Sequence, residues 1–276
     1  MIPKPYIVAW RARAPWSSDA YVEQDLILAR AVIEIFSDPF LRERLAFRGG
    51  TALQKMYLKE PVRYSEDIDL VQRRAEPIGP VINAIRAKLD VWLGKPKWEL
   101  SRANASLIYR FDSEIAPVER LRLKIETNTR EHFSILGYSG KTLRIDNPWF
   151  TGSAELVTYE LEELMGTKLR ALYQRQKGRD LYDLHYVLSK FKNLDCQKVV
   201  HCLQKYLAHE HLQVSRAEFE ANMSEKMDSK RFRTDIHPIL HPDQNFDMET
   251  AYAEVHARLI TRLSGEPWKG GSKNKP

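Results

Sequence analysis

Asp67 and Asp69 stand two positions apart in Ser65-Glu66-Asp67-Ile68-Asp69-Leu70. On an extended segment that spacing turns both carboxylates to the same side, where they can share a cation. The same alternation also suits an ordinary solvated strand face, so the neighbouring sequence has to decide. Upstream stands Gly49-Gly50-Thr51, ahead of a stretch with helical spacing. A glycine turn opening a helix lets backbone N–H groups approach phosphate oxygens closely, and Thr51 can cap that helix. Together the two features describe a nucleoside triphosphate site. Amides and a hydroxyl of Gly49, Gly50 and Thr51 face the phosphates, while Asp67 and Asp69 hold the Mg²⁺ (or Mn²⁺) that bridges them.

Glu126 is a candidate third carboxylate. It lies on the polar face of a strand in which Leu121, Leu123 and Ile125 share one side and Arg122, Lys124 and Glu126 the other. A surface ion pair with Lys124 or Arg122 accounts for it equally well. Two carboxylates about 4 Å apart repel by about 4 kcal/mol at an effective dielectric of 20, which a metal ion would relieve. A second dense cluster runs from Lys168 through Arg175 to Arg179-Asp180-Leu181-Tyr182-Asp183. Here Lys168 is expected to neutralise triphosphate charge without supporting the fold, Arg179 with Asp180 to organise the site, and Asp180 to cap a helix. An ordinary helix-loop-helix with solvated charges accounts for the cluster equally well.

The elements that position these groups follow from periodicity. Helices are expected over Tyr21 to Phe36, after Thr51, and over Pro77 to Leu93; strands are expected at Ile68 to Val71, in a hairpin over Ser106 to Phe111 and Val118 to Thr127, and at Leu143 to Ile145. Beyond Thr158 the apolar spacing turns helical, with stripes at Leu161, Leu164, Met165, Leu169 and Leu172, at Leu181, Leu184 and Val187, and at Val199, Cys202, Leu203 and Tyr206. The expected architecture is α/β (α+β): residues 1–158 with a small mixed sheet flanked by helices, 159–264 helical, and 265–276 a flexible basic tail containing Lys269, Lys273 and Lys275.

With 43 Lys and Arg against 37 Asp and Glu the chain carries a formal net charge of +6, which favours a polyanionic partner without requiring one. No apolar run approaches the roughly 18 residues of a membrane span, and the opening Met1-Ile2-Pro3-Lys4-Pro5 lacks the apolar segment of a signal peptide, so a cytosolic protein with no membrane partner is expected. The two cysteines, Cys196 and Cys202, have neither the number nor the spacing of a disulfide framework, and the histidines, His209 and His211 among them, lack metal-ligand spacing.

Phe47-Arg48-Gly49-Gly50-Thr51-Ala52-Leu53, Arg63-Tyr64-Ser65-Glu66-Asp67-Ile68-Asp69-Leu70, and Lys168-Leu169-Arg170-Ala171-Leu172 with Arg175 and Arg179 to Asp183 resemble, in this order, the AbiEii/AbiGii nucleotidyltransferase toxin family of the DNA polymerase β-like superfamily. The resemblance implies an N-terminal nucleotidyltransferase-like domain and a toxin or phage-defence protein encoded beside an antitoxin. By motif, Gly50 and Thr51 would bind phosphate, Asp67 and Asp69 the metal, and Lys168 the nucleotide; Asp180 would be the polar residue of the second cluster. The activity implied is transfer of a nucleoside monophosphate from a triphosphate to an acceptor hydroxyl. The expected acceptor is a tRNA 3′ end, approached along Arg122, Lys124, Arg170, Arg175, Lys177 and Arg179, with a protein hydroxyl as the alternative. Asp67-Ile68-Asp69-Leu70-Val71 also fits the nucleophile loop of haloacid-dehalogenase-like phosphatases, but the polar residues before it do not form the apolar strand such a loop follows. A nucleotidyltransferase-like module that binds without catalysis is the non-enzymatic alternative.

Overall fold

The computed structural model describes residues 2–58 and 60–270. The chain divides into two compact units, residues 1–160 with 239–244, and residues 161–238 with 245–276.

The first unit is built on a mixed sheet. Its helices are α1 (Lys4–Trp10), α2 (Asp19–Ser37), α3 (Pro39–Arg44), α4 (Gly49–Met56) and α5 (Gly79–Leu93), and its strands are β1 (Leu45–Arg48), β2 (Asp67–Gln72), β3 (Lys97–Leu100), β4 (Asn104–Asp112), β5 (Arg120–Asn128), β6 (Tyr138–Asn147) and β7 (Phe150–Tyr159). The strand order is β3-β4-β5-β2-β1-β7-β6. β2 runs antiparallel to β1 and parallel to β5, and β1 meets β7 in parallel. The hairpin expected around residues 106–127 is β4 with β5. The short strand expected at Leu143 to Ile145 is one arm of a longer β6–β7 hairpin.

The core forms where strand alternation turns Ile68 and Leu70 of β2 and Leu121, Leu123 and Ile125 of β5 inward, against α2 and α5. Ser18 caps α2 by accepting from the Ala20 N–H. This helix is buried on nearly every side rather than on one face, and it carries Glu23, Gln24 and Asp25 inside with it. Each is satisfied: Glu23 accepts from the Glu114 N–H, Gln24 donates to the Arg122 carbonyl, and Asp25 accepts from Trp10 and Lys55. Asp38 caps α3 through the Phe40 and Leu41 N–H groups, and Pro39 supplies the helical φ at its start. The returning segment 239–244 braces the stretch before β2, with the Tyr64 N–H on the Ile239 carbonyl and the His241 N–H on the Val62 carbonyl.

The second unit is helical: α6 (Leu161–Gln174), α7 (Gly178–Lys190), α8 (Cys196–His209), α9 (Arg216–Asp228), α10 (Lys230–Thr234) and α11 (Met248–Arg258). The three stripes read from the sequence are its core, buried throughout. Both cysteines are reduced and buried. The start of the expected basic tail is anchored, since the Trp268 N–H donates to Glu220; residues 271–276, with Lys273 and Lys275, lie outside the described residues. No helix among the described residues is long and apolar enough to cross a membrane.

Candidate active site

β1 ends at Arg48 in extended backbone, and Gly49 then turns the chain into α4 with φ +81°, a conformation that strains any residue with a Cβ. A Cβ on Gly49 would lie 2.1 Å from Asp69 Oδ2. The carboxylate of Asp69 therefore rests directly on the glycine turn, as the spacing of the two motifs suggested. Gly49→Ala is expected to displace Asp69 and to lower transfer activity at least about tenfold, since misplacement of a reacting group by an ångström is that costly. Activity within twofold of wild type would show that the contact has no function.

Thr51 does not cap α4. Its hydroxyl bonds the Asp67 carbonyl at 2.6 Å and Ser65 Oγ at 2.8 Å, so it ties the helix to the start of β2. The helix opens without any side-chain cap, which leaves its first backbone N–H groups beside the carboxylates.

Along β2 the alternation leaves Asp67 and Asp69 on the face opposite Ile68 and Leu70. Burial pushes the Asp67 carboxyl up to about 6; Asp69 and Glu66 add to the rise, and Arg122 and Lys124 oppose it. Asp67 Oδ1 is buried without a hydrogen-bond partner. A buried acceptor facing a second carboxylate fits a divalent cation, which would satisfy the one and cancel the repulsion of the other.

β5 lies parallel to β2 with Asp69 beside Glu126 and Asp67 beside Lys124, which puts Glu126 on the face of the two aspartates. Glu126 is nevertheless engaged, in an ion pair with Lys124 and in contacts with Asn104 Nδ2 at 3.3 Å and Ser106 Oγ at 3.5 Å. Among the described residues no three His, Cys, Asp or Glu side chains gather as a metal-ligand group.

Sequence reasoning passed over Arg48 and Glu131. Arg48 lies beside Asp69 in the β1–β2 register and forms an ion pair with the buried Glu131. Burial works against its charge, but Glu131, Tyr159 and Asp69 outweigh that and hold the guanidinium firmly protonated. The signal available was a cation set immediately before the glycine turn. Farther out on the same sheet face Arg110 and Arg122 stand directly opposite each other. Arg122 reaches Glu66 at 3.6 Å, whereas Arg110 forms no ion pair among the described residues.

The second cluster folds differently from expectation. Lys168 is 4% exposed, and its ammonium lies 3.2 Å from Asp180 and 2.8 Å from Asp183. Asp180 does not cap α7, which begins at Gly178 with Lys177 as the capping position. Instead it is fully buried and accepts from Lys168 and from Arg175 Nε and Nη2, at 2.7 and 2.8 Å. Burial would raise its pKa, but Lys168 and Arg175 overcome this and bring the carboxyl down to about 2. Nor do Arg179 and Asp180 act together, because Arg179 forks onto Asp235 at 2.9 and 3.0 Å, with Lys177 on the same carboxylate. Arg170 pairs with Glu210. The basic track expected along Arg170, Arg175, Lys177 and Arg179 is therefore neutralised within its own unit.

Residues 30–254 match the family described as the nucleotidyl transferase AbiEii toxin of a type IV toxin–antitoxin system. The chain belongs to that family. As an AbiEii-family protein it is a nucleotidyltransferase, the toxin half of a toxin–antitoxin pair, with a nucleoside triphosphate as substrate. Its fold is shared by solved structures of low identity. MenT4, a nucleotidyltransferase toxin from Mycobacterium tuberculosis, is 17% identical with a TM-score of 0.64 over 94% of this chain and 90% of its own. JHP933 from Helicobacter pylori is 16% identical with a TM-score of 0.55 over 87% of this chain and 90% of its own. No curated protein matches the chain.

Proposed function

We propose that the AbiEii-family chain transfers a nucleoside monophosphate from a triphosphate to the 3′ hydroxyl of an RNA, with tRNA as the preferred acceptor, in a metal-dependent reaction. The observation that carries the reading is the Asp67 and Asp69 pair on the glycine turn, with the buried Asp67 Oδ1 lacking a partner. Asp67 and Asp69 would hold Mg²⁺, which when bound polarises the triphosphate and eases departure of pyrophosphate. The backbone N–H groups that open α4 face phosphate oxygens. Glu126, beside Asp69 and fixed by Lys124 and Asn104, is assigned the proton of the attacking hydroxyl.

The choice of RNA rests on Arg110 and Arg122. Like charges directly opposite across two strands destabilise a sheet, and their persistence on the face of the aspartates fits a backbone of phosphates running out from the reaction centre. The unit's own acids compensate only Arg122 within ion-pair distance. A protein acceptor needs no such pair.

Incubation with each labelled nucleotide, Mg²⁺ and cell extract, followed by separate RNase and protease digestion, tests the reading. Label lost to RNase is expected. Label that survives RNase but not protease would replace RNA by protein as acceptor. With purified RNA, Arg110→Ala with Arg122→Ala is expected to weaken binding and to reduce the slope of log affinity against log salt by about 1 to 2. An unchanged slope would remove these arginines from the acceptor path.

A further inference from the structure

Behind the glycine turn, within the first unit, lies a cavity of about 380 Å³, large enough for a small ligand. One wall is the face of α4 formed by Thr51, Gln54 and Lys55, which the helical repeat brings into line, with Leu58 just past the helix end. Trp10 and Trp16 supply flat apolar surface, and Arg13 and Arg144 lie at its border. Neither Asp67 nor Asp69 lines it.

The polar groups of this cavity are unevenly satisfied. Gln54 Oε1 accepts from the Val62 N–H at 3.2 Å, while its Nε2 is buried with no partner among the described residues. The indole N–H of Trp16 is likewise buried and unpartnered. Both are donors, and a buried donor without an acceptor is the costly half of a hydrogen bond. Charge points the same way. Arg13 and Arg144 take part in no ion pair among the described residues, Arg13 giving only one N–H to the Arg144 carbonyl at 3.2 Å. Of the two acids in the lining, Glu60 is exposed to solvent and the buried Asp25 is already occupied by Trp10 Nε1 at 2.9 Å and Lys55 at 3.1 Å. A ligand that answers these groups brings hydrogen-bond acceptors on a flat ring together with a negative charge.

We propose that this cavity is a second nucleotide site, which binds a nucleoside monophosphate without a metal ion. Ring acceptors meet Gln54 and Trp16, and the phosphate meets Arg13 and Arg144. Thr51 and Ser65 belong to the lining, and the Thr51 hydroxyl also bonds the Asp67 carbonyl, so an occupant bears on the strand that carries the catalytic pair. The site would let the level of free nucleoside monophosphate adjust the toxin.

Calorimetric titration of the four ribonucleoside monophosphates, in EDTA, against the full chain tests the proposal. One molecule bound per chain is expected for at least one of them. Arg144→Gln, a change at an exposed residue that leaves the fold alone, should weaken binding about tenfold, as should Gln54→Leu in protein whose circular dichroism is unchanged. Asp67→Asn with Asp69→Asn should leave it intact. Loss of binding in that double variant would move the ligand to the catalytic pair and overturn the second site, without bearing on metal-dependent transfer there. Absence of binding at millimolar concentration, or inorganic phosphate binding as tightly as the best nucleotide, would also overturn it.

Discussion

Replacing Lys168 by alanine is expected to destabilise the helical unit by about 3 to 5 kcal/mol, the range for breaking a buried ion pair from one side. The variant would leave Asp180 and Asp183, both essentially inaccessible, without the ammonium that lies about equally close to each. Arg175 still forks onto Asp180, which is why the loss is not larger. The nearby ammonium of Lys226 cannot substitute, because it is committed to the Leu172 and Tyr173 carbonyls at the end of α6. At roughly 2–4 °C per kcal/mol for a protein of this size, the melting temperature should fall by about 10 °C.

Acid narrows the difference. The Asp180 carboxyl titrates near 2, below its ordinary value of 3.8, so its contribution is fully present above pH 4 and is lost as the pH falls from there toward 2. With Lys168 gone the depression shrinks, so the gap in melting temperature between variant and wild type should be widest above pH 4 and should close as the pH falls toward 2. Thermal and acid melts of Lys168→Ala decide the matter: unchanged midpoints would mean that Lys168 serves the nucleotide alone, as the sequence suggested.

The buried pairing of Lys168 shows where the sequence is legible and where it stops. Periodicity found β2, α5 and the β4–β5 hairpin because each has one buried face, and a strand with one buried face has to keep its register. From register alone, Glu126 could be set on the face of Asp69. The β6–β7 hairpin was harder to see, since its outer strand alternates among Gly140, Thr142 and Arg144 and offers little apolar signal. The burial of Lys168 and Asp180 was not legible for another reason. Charged residues in a helical stretch read as a solvated face, and nothing in their own spacing says that two buried carboxylates and a lysine will satisfy one another in the interior. The capping readings of Thr51 and Asp180 failed similarly. Each side chain has a tertiary partner, Asp67 and Ser65 for one, Lys168 and Arg175 for the other, that outcompetes the local N–H group.

Asp67→Asn is expected to abolish transfer and to stabilise the protein in the same stroke. Loss of a metal-holding carboxylate removes several kcal/mol of charge stabilisation, on the order of a 10³-fold fall in rate. The stability effect follows from the pKa of about 6. Burial, then the charge of Asp69, raise it above the ordinary 3.8, so the folded state holds this proton more tightly than the unfolded one. Stability therefore falls as the pH rises from about 4 to 6, and above pH 6 the ionised group costs about 3 kcal/mol by the usual conversion of 1.36 kcal/mol per unit. Asparagine has the same shape and no charge, so the variant should melt several degrees higher than the wild type at pH 8, with the gain disappearing near pH 4. Mg²⁺ and the proton compete for the same carboxylate. Added Mg²⁺ should accordingly raise the wild-type melting temperature at pH 8, should do so weakly below pH 6, and should leave Asp67→Asn nearly unmoved. If Asp67→Asn melts below the wild type at pH 8, or responds to Mg²⁺ as the wild type does, Asp67 is a structural carboxylate and the cation is held elsewhere.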